Sequence, residues 1–231
     1  MILYYITDRR QFAGDERQGR AKLLDKIEEA ARAGVDYIQL RERDLTAREL
    51  EKLAQAAVQR VARHPRTRLL INSRIDVAIA VGAHGVHLRA DDINAGDARA
   101  IFGASPGFRV RTSVIAVSCH SPEEVAMAEA QGADLAVLAP IFEKQDSGHT
   151  PLGLKELERA CRRPAAAASR MPVLALGGVT PANAANCVAI GAAGVAGIRL
   201  FQSAEIASVV SALGGAGAKE EGHERHPYWP R

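Results

Sequence analysis

One unit recurs four times along this chain: AGVDYIQL at residues 33–40, GAHGVHL at 82–88, GADLAVL at 132–138 and GAAGVAGI at 191–198. Each is a helix-stopping glycine, a short link and an apolar run of strand length. Helical patterns lie between these runs, and such alternation builds a parallel sheet covered by helices. The clearest instance is MPVLALGGVTPANAANCVAIGAAGVAGIRLF at 171–201. Residues 172–176 form a short buried strand, and Gly177-Gly178 end it. Thr180 then offers an N-cap hydroxyl and Pro181 the first helical position. An alanine-rich helix runs to Ile190, Gly191 stops it, and 194–198 is the next strand.

The same logic extends along the chain. Strands are predicted at 2–7, 37–40 and 68–72, in GAHGVHL, at 113–117, in GADLAVLAP, at 172–176 and at 194–198. Helices are predicted at 21–33, 47–62 behind a Thr46 cap, 75–81, 95–102, 122–131, 154–161, 181–190 and 204–213. Residues 9–17 and 141–151 read as polar loops, and 103–112 as an unassigned connection. Eight strands alternating with helices predict an α/β fold, a single (β/α)₈ barrel over residues 1–213. An open doubly wound sheet is the competing architecture, but GxGxxG is absent and eight regular units favour closure. Residues 214–231, GGAGAKEEGHERHPYWPR, shift to glycine, charge and proline. They predict a short disordered tail in which Trp229 is incidental.

Composition narrows the function. Aromatics make up only 4% of residues, which argues against platforms for stacking nucleic-acid bases. A net charge of +3 with scattered arginines is too weak for nucleic acid but suits anionic small molecules. Cys119, Cys161 and Cys187 show no paired spacing, which points to a reducing cytoplasm. The opening MILYYITDRR reads as a first strand rather than a signal peptide. No apolar run approaches the ~18 residues of a membrane helix, so no membrane partner is expected.

In barrels of this kind the reacting groups sit at the C-terminal ends of the strands. The polar residues predicted there are Thr7, Asp8, Gln39, Arg41, Arg43, Asn72, Ser73, Asp91, Asp92, Ser118, His120, Lys144 and Arg199, with the Gly177-Gly178 pair. Arg41 and Arg43 alternate where a buried strand ends, so they are predicted to share a face and to bind an anion rather than decorate the surface. Asp91-Asp92 fits either a Mg²⁺ site or an N-cap for the helix from Asn94 onward. His120 is either structural or a donor and proton carrier at the mouth. His84 and His87 read as structural. Gly177-Gly178 either lets a phosphate reach backbone N–H groups at a helix N-terminus or closes a tight turn; the stretch alone does not choose.

The segments YYITDR, QLRERD, LLINSRIDVA, GAHGVHLRADD, SCHS, PIF and LALGGVTP, in this order, resemble the thiamin-phosphate synthase/TenI superfamily over residues 2–213. The resemblance implies a (β/α)₈ barrel that couples hydroxymethylpyrimidine pyrophosphate to a thiazole phosphate and releases pyrophosphate. It also admits a TenI-type thiazole tautomerase, or a non-catalytic barrel that binds phosphorylated ligands. Carried over by position, Gln39 and Arg41 match the pyrimidine and pyrophosphate motif, with Arg43 where synthases carry lysine. Asn72 matches, while Ser73 replaces a magnesium-binding aspartate and Asp92 matches the second magnesium carboxylate. Arg89-Ala90 replaces Gly-Gln. Ser118 and His120 match a Ser-x-His motif whose histidine moves the proton in tautomerases. Lys144 is the counterpart of a lysine that ends a Thr/Ser-rich segment. Gly177 and Gly178 match a thiazole-phosphate cradle, Ile198 the last strand, and Arg199 stands in place of serine. The resemblance thus implies weak, substrate-dependent Mg²⁺, small phosphorylated substrates and a homodimer.

Overall fold

Alternating side chains on the first strand, β1 (Ile2–Ile6), divide the core into two layers. Ile2, Tyr4 and Ile6 face the barrel interior, while Leu3 and Tyr5 face the helices. The period of two in a strand makes this division automatic. The computed structural model describes residues 1–105, 113–143, 150–162, 171–203 and 205–217. Seven further strands follow: β2 (Tyr37–Leu40), β3 (Arg68–Asn72), β4 (Gly85–Leu88), β5 (Val114–Cys119), β6 (Leu135–Leu138), β7 (Val173–Leu176) and β8 (Gly194–Gly197). All neighbours pair in parallel in sequence order, and β8 pairs β1, so the sheet closes into an eight-stranded barrel. The predicted architecture is the observed one. Closure needs close approach at the seam: a Cβ on Gly194 would lie 1.9 Å from the Ile2 carbonyl oxygen.

The helices outside are α1 (Glu16–Arg32), α2 (Ala47–Val61), α3 (Ile75–Val81), α4 (Ala95–Ala104), α5 (Pro122–Ala130), α6 (Gly153–Cys161), α7 (Pro181–Ala189), α8 (Arg199–Gln202) and α9 (Ile206–Gly217). Their starts follow local chemistry. Thr46 caps α2 and shares a capping box with Glu49, as its sequence predicts. Asp15 and Gln18 form the same device on α1, which therefore begins five residues before the predicted start at 21. The polar stretch 9–17 is thus a 3₁₀ turn, Arg9–Gln11, leading into a capped helix. β5 runs to Cys119 rather than ending at 117, so Ser118 lies on a strand. The predicted last helix, 204–213, corresponds to α9, which reaches Gly217, and a further short helix that the pattern does not predict, α8, follows β8 directly. The expected tail from 214 therefore begins inside a helix, and residues 218–231 lie outside the described residues. Among the described residues no helix is long and apolar enough to cross a membrane.

Candidate active site

The mouth is built from strand ends. On β2 the alternation puts Tyr37 and Gln39 inside the barrel and Ile38 and Leu40 against the helices. Gln39 is 2% exposed. Its Nε2 donates to Asn72 Oδ1 at 2.8 Å, and Asn72 Nδ2 donates to Ser73 Oγ at 3.0 Å. Gln39 Oε1 is buried and meets no donor. The chain leaves the strand at Arg41, whose peptide N–H donates to Thr7 Oγ1 at 2.9 Å. Burial lowers the Arg41 pKa, and the charge of Arg43 lowers it further. Arg43 itself is exposed in the turn beyond β2, so the two cations are neighbours without lying on one strand face.

Glu42, between them, points the other way. It is buried and accepts from the Thr7 hydroxyl at 2.7 Å and from Arg9 Nη1 at 3.0 Å. Arg9 also grips Asp44 with two bonds of 2.7 Å and donates from Nε to Glu16 at 2.9 Å. Burial pushes the Glu42 carboxyl up, while the Asp44 carboxyl is drawn down to about 2, chiefly by its bonds to Arg9. Sequence reasoning placed Arg9 in a polar loop. The one hint was the pair of carboxylates flanking Arg43, which had no visible partner.

At the exit of β3, Ser73 is the one non-glycine residue with positive φ among the described residues, at 60°. After β4, Asp92 accepts the Arg89 N–H at 2.7 Å, and Asp91 pairs with the Arg89 guanidinium. Neither aspartate caps α4; Asn94 does, accepting the Asp97 N–H at 2.9 Å. Inside the barrel, His87 Nδ1 lies 2.6 Å from the Tyr4 hydroxyl and His87 Nε2 lies 2.8 Å from Ser118 Oγ. His84 accepts the Leu69 N–H at 3.1 Å and is structural, as expected. His120 is exposed at the rim. Its Nδ1 lies 2.9 Å from the Ala139 carbonyl oxygen. A carbonyl only accepts, so the proton sits on Nδ1 and Nε2 stays available at the mouth.

Across the mouth the site is made of backbone. Gly177 and Gly178 have φ of 97° and 65°. Phe142 N–H donates to the Gly177 carbonyl at 2.9 Å, and Asn183 Nδ2 to the Gly178 carbonyl at 3.0 Å. A Cβ on Gly178 would lie 2.7 Å from both the Glu143 carbonyl oxygen and Phe142 Cβ. The glycine is therefore required by the protein's own packing before any ligand arrives. Among the described residues no backbone acceptor takes the Gly178 N–H. Pro181 opens α7 just beyond, directing that helix N-terminus to the same turn. Ile198 packs against the interior cluster, and Arg199, exposed, is the first residue of α8. Lys144 lies outside the described residues.

A closed (β/α)₈ barrel with arginines, a serine, an exposed histidine and a glycine turn gathered at its strand ends has the layout of a barrel enzyme, whose reacting groups sit on that face. The chain belongs to the thiamine monophosphate synthase family, whose model matches residues 3–201. It is 39% identical over 191 residues to a putative thiamine-phosphate synthase of Geobacter sulfurreducens, covering 82% of this chain and 81% of that one. It is 37% identical over 193 residues to the thiamine-phosphate synthase of Roseiflexus castenholzii, covering 82% and 76%. The solved thiamine phosphate pyrophosphorylase from Pyrococcus furiosus superposes with a TM-score of 0.74 at 25% identity, covering 93% of this chain and 94% of that one. A 3-hexulose-6-phosphate synthase, at a TM-score of 0.64 and 19% identity, shares the fold.

Proposed function

We propose that this protein is a thiamine-phosphate synthase, joining hydroxymethylpyrimidine pyrophosphate to a thiazole phosphate. The observation that carries the proposal is Gln39 Oε1, a buried acceptor with no donor, one alternation step inside the Arg41–Arg43 cations. A buried unpaired acceptor costs about 1–3 kcal/mol, which an amine N–H on a bound aminopyrimidine would offset. The diphosphate on the same substrate then extends outward to the arginines. As the carbon–oxygen bond breaks, its electron pair goes to the departing pyrophosphate, and positive charge builds on the pyrimidine. Arg41 and Arg43 stabilise the leaving group electrostatically. The thiazole nitrogen closes the new carbon–nitrogen bond, aligned by its phosphate at the Gly177-Gly178 turn and the α7 N-terminus.

Magnesium fits this donor set only together with substrate. Among the described residues no three His, Cys, Asp or Glu side chains converge; of the predicted pair, Asp91 is tied to the Arg89 guanidinium, while Asp92 accepts the Arg89 peptide N–H and faces no cationic side chain among the described residues. Mg²⁺ accepts one carboxylate when phosphate oxygens complete its shell. Asp92 would hold it, and the ion would supply positive charge to the diphosphate. The proposal also includes a homodimer working in the cytoplasm, which the family resemblance supports; light scattering on the full chain tests the dimer.

A thiazole tautomerase is the second reading, favoured by His120, whose Nε2 has no hydrogen-bond partner among the described residues. One assay separates the two. Thiamine-phosphate formation from both substrates, rising with Mg²⁺, is expected; thiazole isomerisation without metal and without coupling would establish the tautomerase, and turnover of neither would leave a binding protein.

A further inference from the structure

The barrel register brings Tyr4, His87 and Ser118 into one line through the interior. Tyr4 is fully buried and His87 is 2% exposed. Among the described residues the Tyr4 hydroxyl touches only His87 Nδ1, and Ser118 Oγ only His87 Nε2. Burial, and then the nearby Arg41 charge, push the His87 pKa down to about 3. The ring is neutral and carries one proton, so one nitrogen donates and the other accepts.

The two tautomers differ in what they leave unmet. With the proton on Nδ1, His87 donates to the Tyr4 oxygen, and the buried Tyr4 O–H finds no acceptor. An unmet buried donor is expensive. Ser118 would also have to spend its own proton on Nε2. With the proton on Nε2, Tyr4 donates to Nδ1 and His87 donates to Ser118 Oγ. Every polar group along this line is then paired, and Ser118 keeps its O–H for the mouth.

We propose that Tyr4 and His87 are positioning residues that fix the Ser118 hydroxyl as a one-way donor to an anionic oxygen of the phosphorylated substrate. The hydrogen-bond direction runs Tyr4 to His87 to Ser118 to ligand. Ser118 so held cannot accept a substrate proton through His87. It supplies a preorganised dipole where charge builds on the leaving group. His120, on the same strand end but outside this line, keeps Nε2 without a partner among the described residues.

The test has two arms, of which only the kinetic one rests on the synthase reading. In the full ¹⁵N-labelled chain, long-range ¹H–¹⁵N correlation reads the tautomer of the assigned His87 ring. Only the Nε2–H form is expected at neutral pH; the Nδ1–H form, or a doubly protonated ring, would overturn the proposal. In the kinetic arm, Tyr4→Phe keeps the ring and its stacking on Tyr37 at 5.8 Å but removes the donor. It should lower kcat for thiamine-phosphate formation about fivefold, the effect of one hydrogen bond, with KM for both substrates nearly unchanged. In a Ser118→Ala background the same substitution should change nothing further, because the line ends at Ser118. An equal loss in both backgrounds would make Tyr4 merely structural and overturn the proposal. If the unaltered chain forms no thiamine phosphate, the synthase reading falls, and the tautomer still decides the relay.

Discussion

At the ends of β1 to β5 the mouth is organised by side chains. Arg9 binds Glu42, Asp44 and Glu16; Gln39 holds Asn72, and Asn72 holds Ser73; His87 joins Tyr4 to Ser118. At the ends of β7 and β8 it is organised by backbone: two glycines of positive φ, carbonyls bound to Phe142 and Asn183, and a helix N-terminus. The two halves therefore fail differently. A side-chain network is cross-linked and desolvated, so losing one member strands a partner away from water. A glycine turn fails through the addition of atoms rather than their loss. A rim cation such as Arg199 touches neither mode of failure, so its effects should be confined to ligand.

The largest effect should come from Glu42→Ala. It leaves the Arg9 guanidinium, 5% exposed, without its buried partner. Unfolding in urea should show a loss of about 3 kcal/mol or more, and KM for the diphosphate substrate should rise as the Arg41 frame loosens. A loss no greater than that of a surface substitution would erase the contrast between the halves.

Gly178→Ala should come next. A side chain at φ 65° meeting Phe142 and the Glu143 carbonyl should reduce stability by about 1–3 kcal/mol. Gly178→Asp should in addition abolish thiazole-phosphate binding by titration, with circular dichroism to separate lost fold from lost site. Gly178→Asp that binds undiminished would remove the turn from the site. Arg199→Ser should weaken the same ligand by about 1.5–3 kcal/mol if its guanidinium reaches the phosphate, with the urea midpoint unmoved. A shift in diphosphate affinity instead would assign Arg199 to the other half.

Acid should separate the halves more gently. The Asp44 carboxyl falls from 3.8 to about 2, first through its bonds to Arg9, and Glu49 from 4.5 to about 2 through Thr46 and Arg20. A depressed folded pKa gives stability that is present above the unfolded value and lost as pH falls through the folded one. Glu42, raised by burial, works in the opposite sense and is least unfavourable when protonated. The urea midpoint should therefore fall between about pH 4 and pH 2, and Asp44→Asn should flatten that fall. A midpoint equally steep in the variant would show that Asp44 contributes nothing to it.

The smallest effect on stability should come from Ser73→Asp. Aspartate tolerates the left-handed region better than most residues, so the change should be within a few tenths of a kcal/mol. It should nevertheless raise synthase activity at limiting Mg²⁺, whereas Asp92→Asn should abolish it while keeping the oxygen that accepts the Arg89 N–H. If both variants match the unaltered chain while His120→Asn ends thiazole isomerisation, the tautomerase reading prevails.

What the sequence determined was local and periodic. β3 at 68–72 and α3 at 75–81 match their predicted bounds, and eight strands alternating with helices, four of them in the recurring glycine–link–strand unit, pointed to the closed barrel. Strand ends named most site positions, because a period of two and a stop residue suffice to say which polar groups reach the mouth. Periodicity does not say which groups meet. Tyr4 lies 83 residues from His87, and His87 lies 31 from Ser118; their contact is set by strand register around the closed barrel. The same holds for Arg9, which reads as loop until β1 and β2 pair and bury it against Glu42, 33 residues away. The orphaned Gln39 oxygen is legible only once every neighbouring donor is known. Tertiary structure decided these points because a hydrogen bond depends on distance in space, and the chain pattern fixes only direction.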